Sequence, residues 1–360
     1  MIGRDVMTSA RVLFPGAMGP EGFISCFDHL LPDDQLRRKL ILKGGPGVGK
    51  STFMRRIHAS LCESGEPSTL YFCSGDPDSL DAAAVPGAGL LILDGTAPHI
   101  VDPKIPGARD NIINLGECLN EAAMRPRLPH IRACMADHGA ATARARAALE
   151  AAWALKKDCA ALIAPLIDES RMARMLRALT GAVLAADGDK AETPHVRPVI
   201  TDAVTPKGEL CLLTSSAQER IIRLVFRAGM DVTPALRHLS RAAQTAGYSV
   251  EEHLCPTAPG RLMHLTIPGL STLVTTADIP GAEQLFDFAA CLSPGALLRH
   301  ETALEQSQSS ICQHMRHAVT ALHQAKQLHD ELETFYVPNM DFGRWQTILD
   351  QTLESLRKEA

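Results

Sequence analysis

Two kinds of hydrophobic pattern alternate along this chain. Leu40-Ile41-Leu42 is a short unbroken apolar run, as a strand buried on both faces requires, and a helix-compatible stretch from Ser51 to Leu61 follows it across a glycine-rich connection. Leu70–Cys73 and Leu90-Leu-Ile-Leu-Asp94 repeat the strand pattern, the second ending in a carboxylate. Elsewhere the period lengthens. Leu149, Ala152, Trp153, Ala160, Ile163 and Ile167 share a helical face, interrupted by Lys156, inside an Ala- and Arg-rich segment from Pro129 to about Leu184. Ala318, Ala321, Ala325, Leu328, Leu332 and Phe335 step by three and four until Pro338, and a further helix is expected from Phe342 to Lys358. The expected fold class is α/β, a parallel sheet flanked by helices, with helical hairpins appended.

The connection after the first strand carries the strongest chemical signal. Residues Gly44, Gly45, Pro46, Gly47, Val48, Gly49, Lys50 and Ser51 read G-x-x-x-x-G-K-S, and Thr52 follows. Between a strand and a helix, such a loop aims backbone N–H groups and a helix N-terminus at one point, the arrangement of a phosphate-binding loop. Lys50 is expected to reach β- and γ-phosphates and Ser51 to ligate Mg²⁺. Asp94, ending its strand in the Walker B manner, is the second expected metal ligand. No N-K-x-D base-reading motif occurs, which favours ATP over GTP.

Gly95 follows Asp94 where many ATPases place a water-activating glutamate, so catalysis needs another group. Asp76, Asp78 and His99 are the candidates, because open α/β sheets hold ligands at strand C-terminal ends. The alternatives are that Asp76 and Asp78 cap a helix at Ser79-Leu80-Asp81 and that His99 is a satisfied loop histidine. Lys43 either contacts phosphate or is a solvated charge ending the strand.

The chain also repeats itself. Arg11–Phe23 is echoed by Val196–Gly208, Ile105-Pro-Gly-Ala108 by Ile279-Pro-Gly-Ala282, and the helical stretch Ala145–Ile167 by Ala318–Tyr336. The offset is roughly 170 to 185 residues, which suggests two copies of one unit. Expected boundaries are 1–128 for an active half, 129–188 for a helical hairpin, 195–298 for a degenerate half and 299–360 for a second hairpin. In the second copy, Leu224–Leu236 has no G-K-S/T, looks about two residues shorter and places Pro234 near the lysine's position, while Leu273-Val-Thr-Thr276 ends without a carboxylate. This half is expected not to bind nucleotide, and Arg223 or Arg227 either reaches the first site as an arginine finger or forms a surface ion pair.

Composition narrows the classes. With 46% hydrophobic and 21% charged residues over 360 positions, the chain suits a globular protein of two domains. A net charge of −5 and only 4% aromatic residues argue against nucleic acid as a partner. No apolar stretch approaches the roughly 18 residues of a membrane span, and Met1-Ile-Gly-Arg-Asp5 has no signal-peptide core, so a cytoplasmic location is expected. The ten cysteines include no C-x-x-C, which argues for reduced, mostly buried thiols and against a zinc or disulfide framework. His314, His317, His323 and His329 decorate the last long helix as a solvated face. The hairpins pack on each other or on the cores, or present a surface for a protein partner or self-association.

Taken together, the chain resembles a family of bacterial tandem phosphate-loop ATPases. The resemblance covers nearly the whole length and rests on Gly19–Phe23 with Phe27-Asp28, Leu42–Thr52, Cys73–Asp81, Asp94-Gly-Thr-Ala-Pro-His-Ile-Val-Asp102, Ile112–Gly116, Ala325–Leu332 and Tyr336–Asp341. It implies a nucleoside-triphosphate-binding, ATPase-like protein with no established substrate. The expected activity is Mg²⁺-dependent ATP hydrolysis at one site. A small-molecule or nucleotide kinase using Asp76 or Asp78 as base, and a nucleotide-regulated interaction protein, are the alternatives. Members carry a phosphate loop in both halves, and this chain departs from that in its second.

Overall fold

The computed structural model describes residues 10–62, 65–213 and 220–359. The first half runs β1 (Ala10–Leu13), β2 (Gly16–Gly19), β3 (Gly22–Ser25), β4 (Arg38–Lys43), α1 (Lys50–Leu61), β5 (Ser68–Phe72), β6 (Leu80–Val85), β7 (Leu90–Asp94) and β8 (Asp110–Asn114). Then come α2 (Glu121–Met124), the long α3 (Leu128–Ile163) and α4 (Glu169–Leu184). The second half repeats the order: β9 (Val196–Val199), β10 (Asp202–Thr205), β11 (Gly208–Cys211), β12 (Arg220–Val225), α5 (Thr233–Thr245), β13 (Val250–Leu254), β14 (Leu262–Ile267), β15 (Thr272–Thr275) and β16 (Ala282–Asp287). It ends in α6 (Pro294–Leu297), the long α7 (Glu301–Tyr336) and α8 (Phe342–Glu359).

Each half forms one six-stranded sheet, ordered β1-β5-β6-β7-β4-β8 and β16-β12-β15-β14-β13-β9. The sheets are mixed rather than wholly parallel: β6 and β14 run antiparallel to both neighbours. The reason is local. Residues 73–79 are too few for the crossover that a parallel partner needs, so β5 turns straight back into β6. Consequently β6 separates β5 from β7, and β7 lies beside β4.

The two halves are similar sheet–helix units. Arg38 faces Leu90 in the first and Arg220 faces Thr272 in the second; Phe72 faces Leu80, as Leu254 faces Leu262. The hairpin pair Gly16–Ser25 corresponds to Asp202–Cys211, and the long helices α3 and α7 each have 36 residues. Equivalent residues also meet across the halves, since Phe14 and Ile200 form an antiparallel bridge.

The helical segments cross over. Helices α3 and α7 pack antiparallel, with Ile131 and Cys134 against Leu332 at one end and Leu149 among Met315 and Ala318 farther along. The expected stripe on α7 is the buried one, at Ala318, Ala321, Ala325 and Leu332. Beyond α3 the chain bonds to the second half: Asp168 N–H donates to Cys291 O and Ser293 N–H to Leu166 O. Beyond α7 the mirror set joins the first half, Asp341 N–H to Cys118 O and Asn120 N–H to Asn339 O. Thus α4 buries Leu179 and Val183 against Leu236 and Leu239 of α5, whereas α8 buries Trp345, Leu349 and Leu356 in the first core with Phe53 and Ile57 of α1. No described helix is long and apolar enough to cross a membrane.

One buried carboxylate holds the approach to β8. Asp110, 1% exposed, accepts from Lys104 N–H (2.7 Å), Ile105 N–H (3.0 Å) and Arg109 Nε (2.8 Å). Burial pulls its pKa upward, but Arg109 and the two backbone donors outweigh that and hold it at about 2, against an ordinary 3.8. The folded state therefore binds this proton less readily than the unfolded state. The resulting stability is present above pH 3.8 and is lost as pH falls toward 2. Asp110→Asn is expected to cost about 1–3 kcal/mol at pH 6. Urea midpoints at pH 6 and pH 2.5 check this: the gap between the proteins should shrink at the lower pH.

Candidate functional site

Strand β4 is sheathed on both sides by β7 and β8, and Leu42 lies in register with Asp94. The glycine loop therefore leaves β4 beside the carboxylate that ends β7. Gly47 and Gly49 adopt φ of +68° and +82°, left-handed values that a side chain would strain. Val48 is fully buried and anchors the loop, while Gly44, Gly45, Pro46, Gly47, Gly49, Lys50 and Ser51 are partly exposed and Thr52 is exposed.

Lys50 opens α1 and folds back over the loop. Its Nζ donates to Gly44 O (2.8 Å) and Gly45 O (2.9 Å) and lies 3.5 Å from Asp94 Oδ2. Asp94 Oδ1 accepts from Thr96 N–H at 2.8 Å and from the Thr96 hydroxyl. Ser51 Oγ accepts the Leu80 N–H at 2.9 Å, which ties α1 to the start of β6. The structure brings Lys50, Ser51 and Asp94 together at one end of the sheet.

His99 joins them through Asp81, a residue that no motif singles out. Its Nε2 lies 3.5 Å from Asp81 Oδ2, and its ring stacks on Phe27 and leans on Phe23. His99 Nδ1 is buried with no hydrogen-bond partner among the described residues. Burial lowers the pKa of His99. Burial first, and the nearby Asp94 charge second, push Asp81 up to about 7. A carboxyl poised near neutrality beside a lysine and a second carboxylate is equipped to take a proton from a reacting group.

Asp76 and Asp78 do not cap a helix, because Leu80–Val85 is a strand. Asp76 Oδ2 accepts from Ser79 Oγ at 2.9 Å and pairs with Lys326 of α7 at 3.5 Å. Asp78 is bound by Lys207 of the second half at 2.5 Å, and this pairing lowers its pKa. Both are tied by lysines from remote parts of the chain. Lys43 serves neither expected role: its Nζ donates to Gly95 O and Val101 O, both at 2.8 Å, and straps the Asp94–Asp102 loop to the strand end.

The α7–α8 corner covers the glycine loop, a placement no local sequence signal announces. A Cβ at Gly45 would stand 3.0 Å from Tyr336 Cε1, one at Gly47 2.8 Å from Val337 Cγ2, and one at Gly49 3.1 Å from Trp345 Nε1. The loop and the C-terminal helices are therefore in van der Waals contact.

In the second half the loop after β12 keeps the length of the glycine loop. Thr233 Oγ1 accepts the Leu262 N–H at 3.1 Å, as Ser51 accepts that of Leu80, so Thr233 stands in the serine's place. The loop is then not shortened; Val232 replaces the lysine, and Pro234 matches Thr52. The expected shortening fails here because Pro sits in the first turn of α5, a favoured helix-start position that resembles a loop residue in sequence. Phe226 replaces the first loop glycine and stacks on Phe288 with centroids 4.8 Å apart. Arg227 replaces the second glycine and pairs with Glu301, while Arg223 pairs with Asp278. Thr276 stands where Asp94 would.

No protein-family model matches the chain, and comparison with curated proteins and with solved structures returns no match either.

Proposed function

We propose that this chain binds MgATP at its first glycine loop and hydrolyses the γ-phosphate, in keeping with its resemblance to tandem phosphate-loop ATPases. The observation that carries this reading is the convergence of Lys50, Ser51 and Asp94 at the mouth of a glycine loop with left-handed backbone. Lys50 rests on two loop carbonyls that a triphosphate would replace as partners. The hard oxygen donors Ser51 Oγ and Asp94 suit Mg²⁺, which would supply neutralising charge to the phosphates. Lys50 and the loop N–H groups would stabilise charge developing on the transferring phosphoryl group. Asp81, held near neutrality, would accept the proton of the attacking water, with His99 orienting its carboxyl. The second half, with Val232, Thr276 and Phe226 in place of the lysine, the carboxylate and the first glycine, would contribute no nucleotide site.

Phosphate release from MgATP with no acceptor present tests the hydrolase reading against a kinase. As the accepting form of Asp81 is the ionised one, release should rise with pH through about 7. Asp81→Asn should lower it about 10²–10⁴-fold and flatten the profile. Unchanged release in this variant would remove Asp81 from the mechanism.

A second reading is favoured by the cover of Tyr336, Val337 and Trp345 over the loop. Nucleotide entering the loop would displace or lock these helices and so signal to a partner. This reading predicts binding without turnover and a change in Trp345 fluorescence between ADP and ATP forms.

A further inference from the structure

The second half holds another group of residues able to do chemistry, well away in sequence from any recognisable motif. Asp202 begins β10, Cys211 ends β11 and His264 lies in β14. Their ligand atoms, a carboxylate oxygen, a thiol sulfur and an imidazole nitrogen, all lie within 4.8 Å of one another. His264 is fully buried and its orientation is set: Nδ1 is bonded to Thr275 Oγ1 at 2.8 Å, which leaves Nε2 facing Asp202 Oδ2 at 3.0 Å. Asp202 Oδ2 is held in turn by the Thr201 hydroxyl at 2.8 Å. Cys211 is exposed, so the group opens to solvent on one side.

From this arrangement we infer that Asp202, Cys211 and His264 form a zinc-binding site. The donor set of one imidazole nitrogen, one thiolate and one carboxylate is the borderline mixture that Zn²⁺ accepts, and less suited to Mg²⁺ or Ca²⁺. Bonds of about 2.0–2.3 Å in a tetrahedral shell place neighbouring ligands about 3.3–3.8 Å apart. The imidazole and carboxylate stand at 3.0 Å and all three donors lie within 4.8 Å, so small side-chain adjustments would reach that spacing. Without metal, Nδ1 accepts from Thr276 N–H at 3.4 Å and Nε2 carries the proton toward Asp202, so a metal would displace that proton; the Thr275 hydroxyl, 2.8 Å from Nδ1, is then the acceptor that would steady the ligating tautomer. Three protein ligands leave a fourth position for water or a small ligand, on the side where Cys211 is exposed.

The internal duplication supplies a comparison within the same molecule. Hairpin and strand pairings place Gly16, Ser25 and Ala82 of the first half where the second has Asp202, Cys211 and His264. None of those three is a strong zinc ligand, so the shared scaffold does not require the group. All three ligands are present in the half that lacks the lysine and carboxylate of the nucleotide site. The turn of the same hairpin reaches the first half through Lys207 and Asp78, so bound metal would stiffen a contact between the halves. The inference is independent of the nucleotide reading.

Titration of the full chain with Co²⁺, a coloured stand-in for Zn²⁺, tests it. The expected result is uptake of one ion per chain with a thiolate-to-cobalt charge-transfer band, reversed by added Zn²⁺. Cys211→Ser, at an exposed position, should keep the fold but lose that band and bind Zn²⁺ at least tenfold more weakly; Asp202→Asn should also weaken binding. Lys50→Ala should bind metal like the parent. Absence of stoichiometric uptake by the parent, or an undiminished band in Cys211→Ser, would overturn the assignment.

Discussion

Lys50→Ala should lower ATP hydrolysis by about 10²–10³-fold, the scale of losing one charge-stabilising donor at a transferring group. The argument is geometric. Among the described residues, Lys50 Nζ is the one cation placed both 3.5 Å from Asp94 Oδ2 and on the carbonyls of Gly44 and Gly45, and the neighbouring Lys43 is already committed to Gly95 and Val101. No other lysine of this loop can substitute. Because Lys50 is partly exposed and bonds only two loop carbonyls besides its 3.5 Å pairing with Asp94, its removal should leave thermal unfolding within about 1 kcal/mol of the parent. Parallel assays of phosphate release and melting separate a chemical role from a structural one. Loss of activity together with a large drop in stability would contradict the assignment.

Trp345→Ala should destabilise the chain by about 3–5 kcal/mol. Trp345 is buried in the first core, meets Phe53 edge-on at 5.5 Å and carries the guanidinium of Arg56 over its ring. It also lies against Gly49, so the cavity left behind would loosen the link between α8 and the glycine loop. Urea unfolding measures the first effect. Hydrogen exchange in Gly47–Ser51 measures the second, and protection there should fall. Exchange in the loop that is unchanged despite the lost stability would show that the corner packs on the loop without restraining it.

Much of this organisation was legible in the chain itself. The run Leu40–Leu42, the glycine segment and the apolar strand ending at Asp94 placed Lys50, Ser51 and Asp94 together, because a strand–loop–helix unit admits few arrangements. The stripe on α7 identified its buried face, and the repeat announced two similar units. What escaped depends on long-range pairing. Asp81 becomes important only because β6 turns back antiparallel and carries it beside His99 and Asp94. Asp76 and Asp78 lie in the loop that directly follows the strand Ser68–Phe72, yet Lys326 and Lys207 from remote segments pair with them. An a/d stripe shows that a face is buried but not against what, so the crossing of α4 and α8 to opposite cores was hidden. The same holds for Asp202, Cys211 and His264, whose separation in sequence bears no metal-ligand spacing.

The most direct test of the central claim is a calorimetric titration of MgATP into the intact chain and into Lys50→Ala. The account predicts one nucleotide per chain, since the second loop has Phe226 in place of its first glycine and Val232 in the lysine's place, and binding at least tenfold weaker in the variant. No binding to the parent chain, two equivalent sites, or equal affinity in the variant would contradict it.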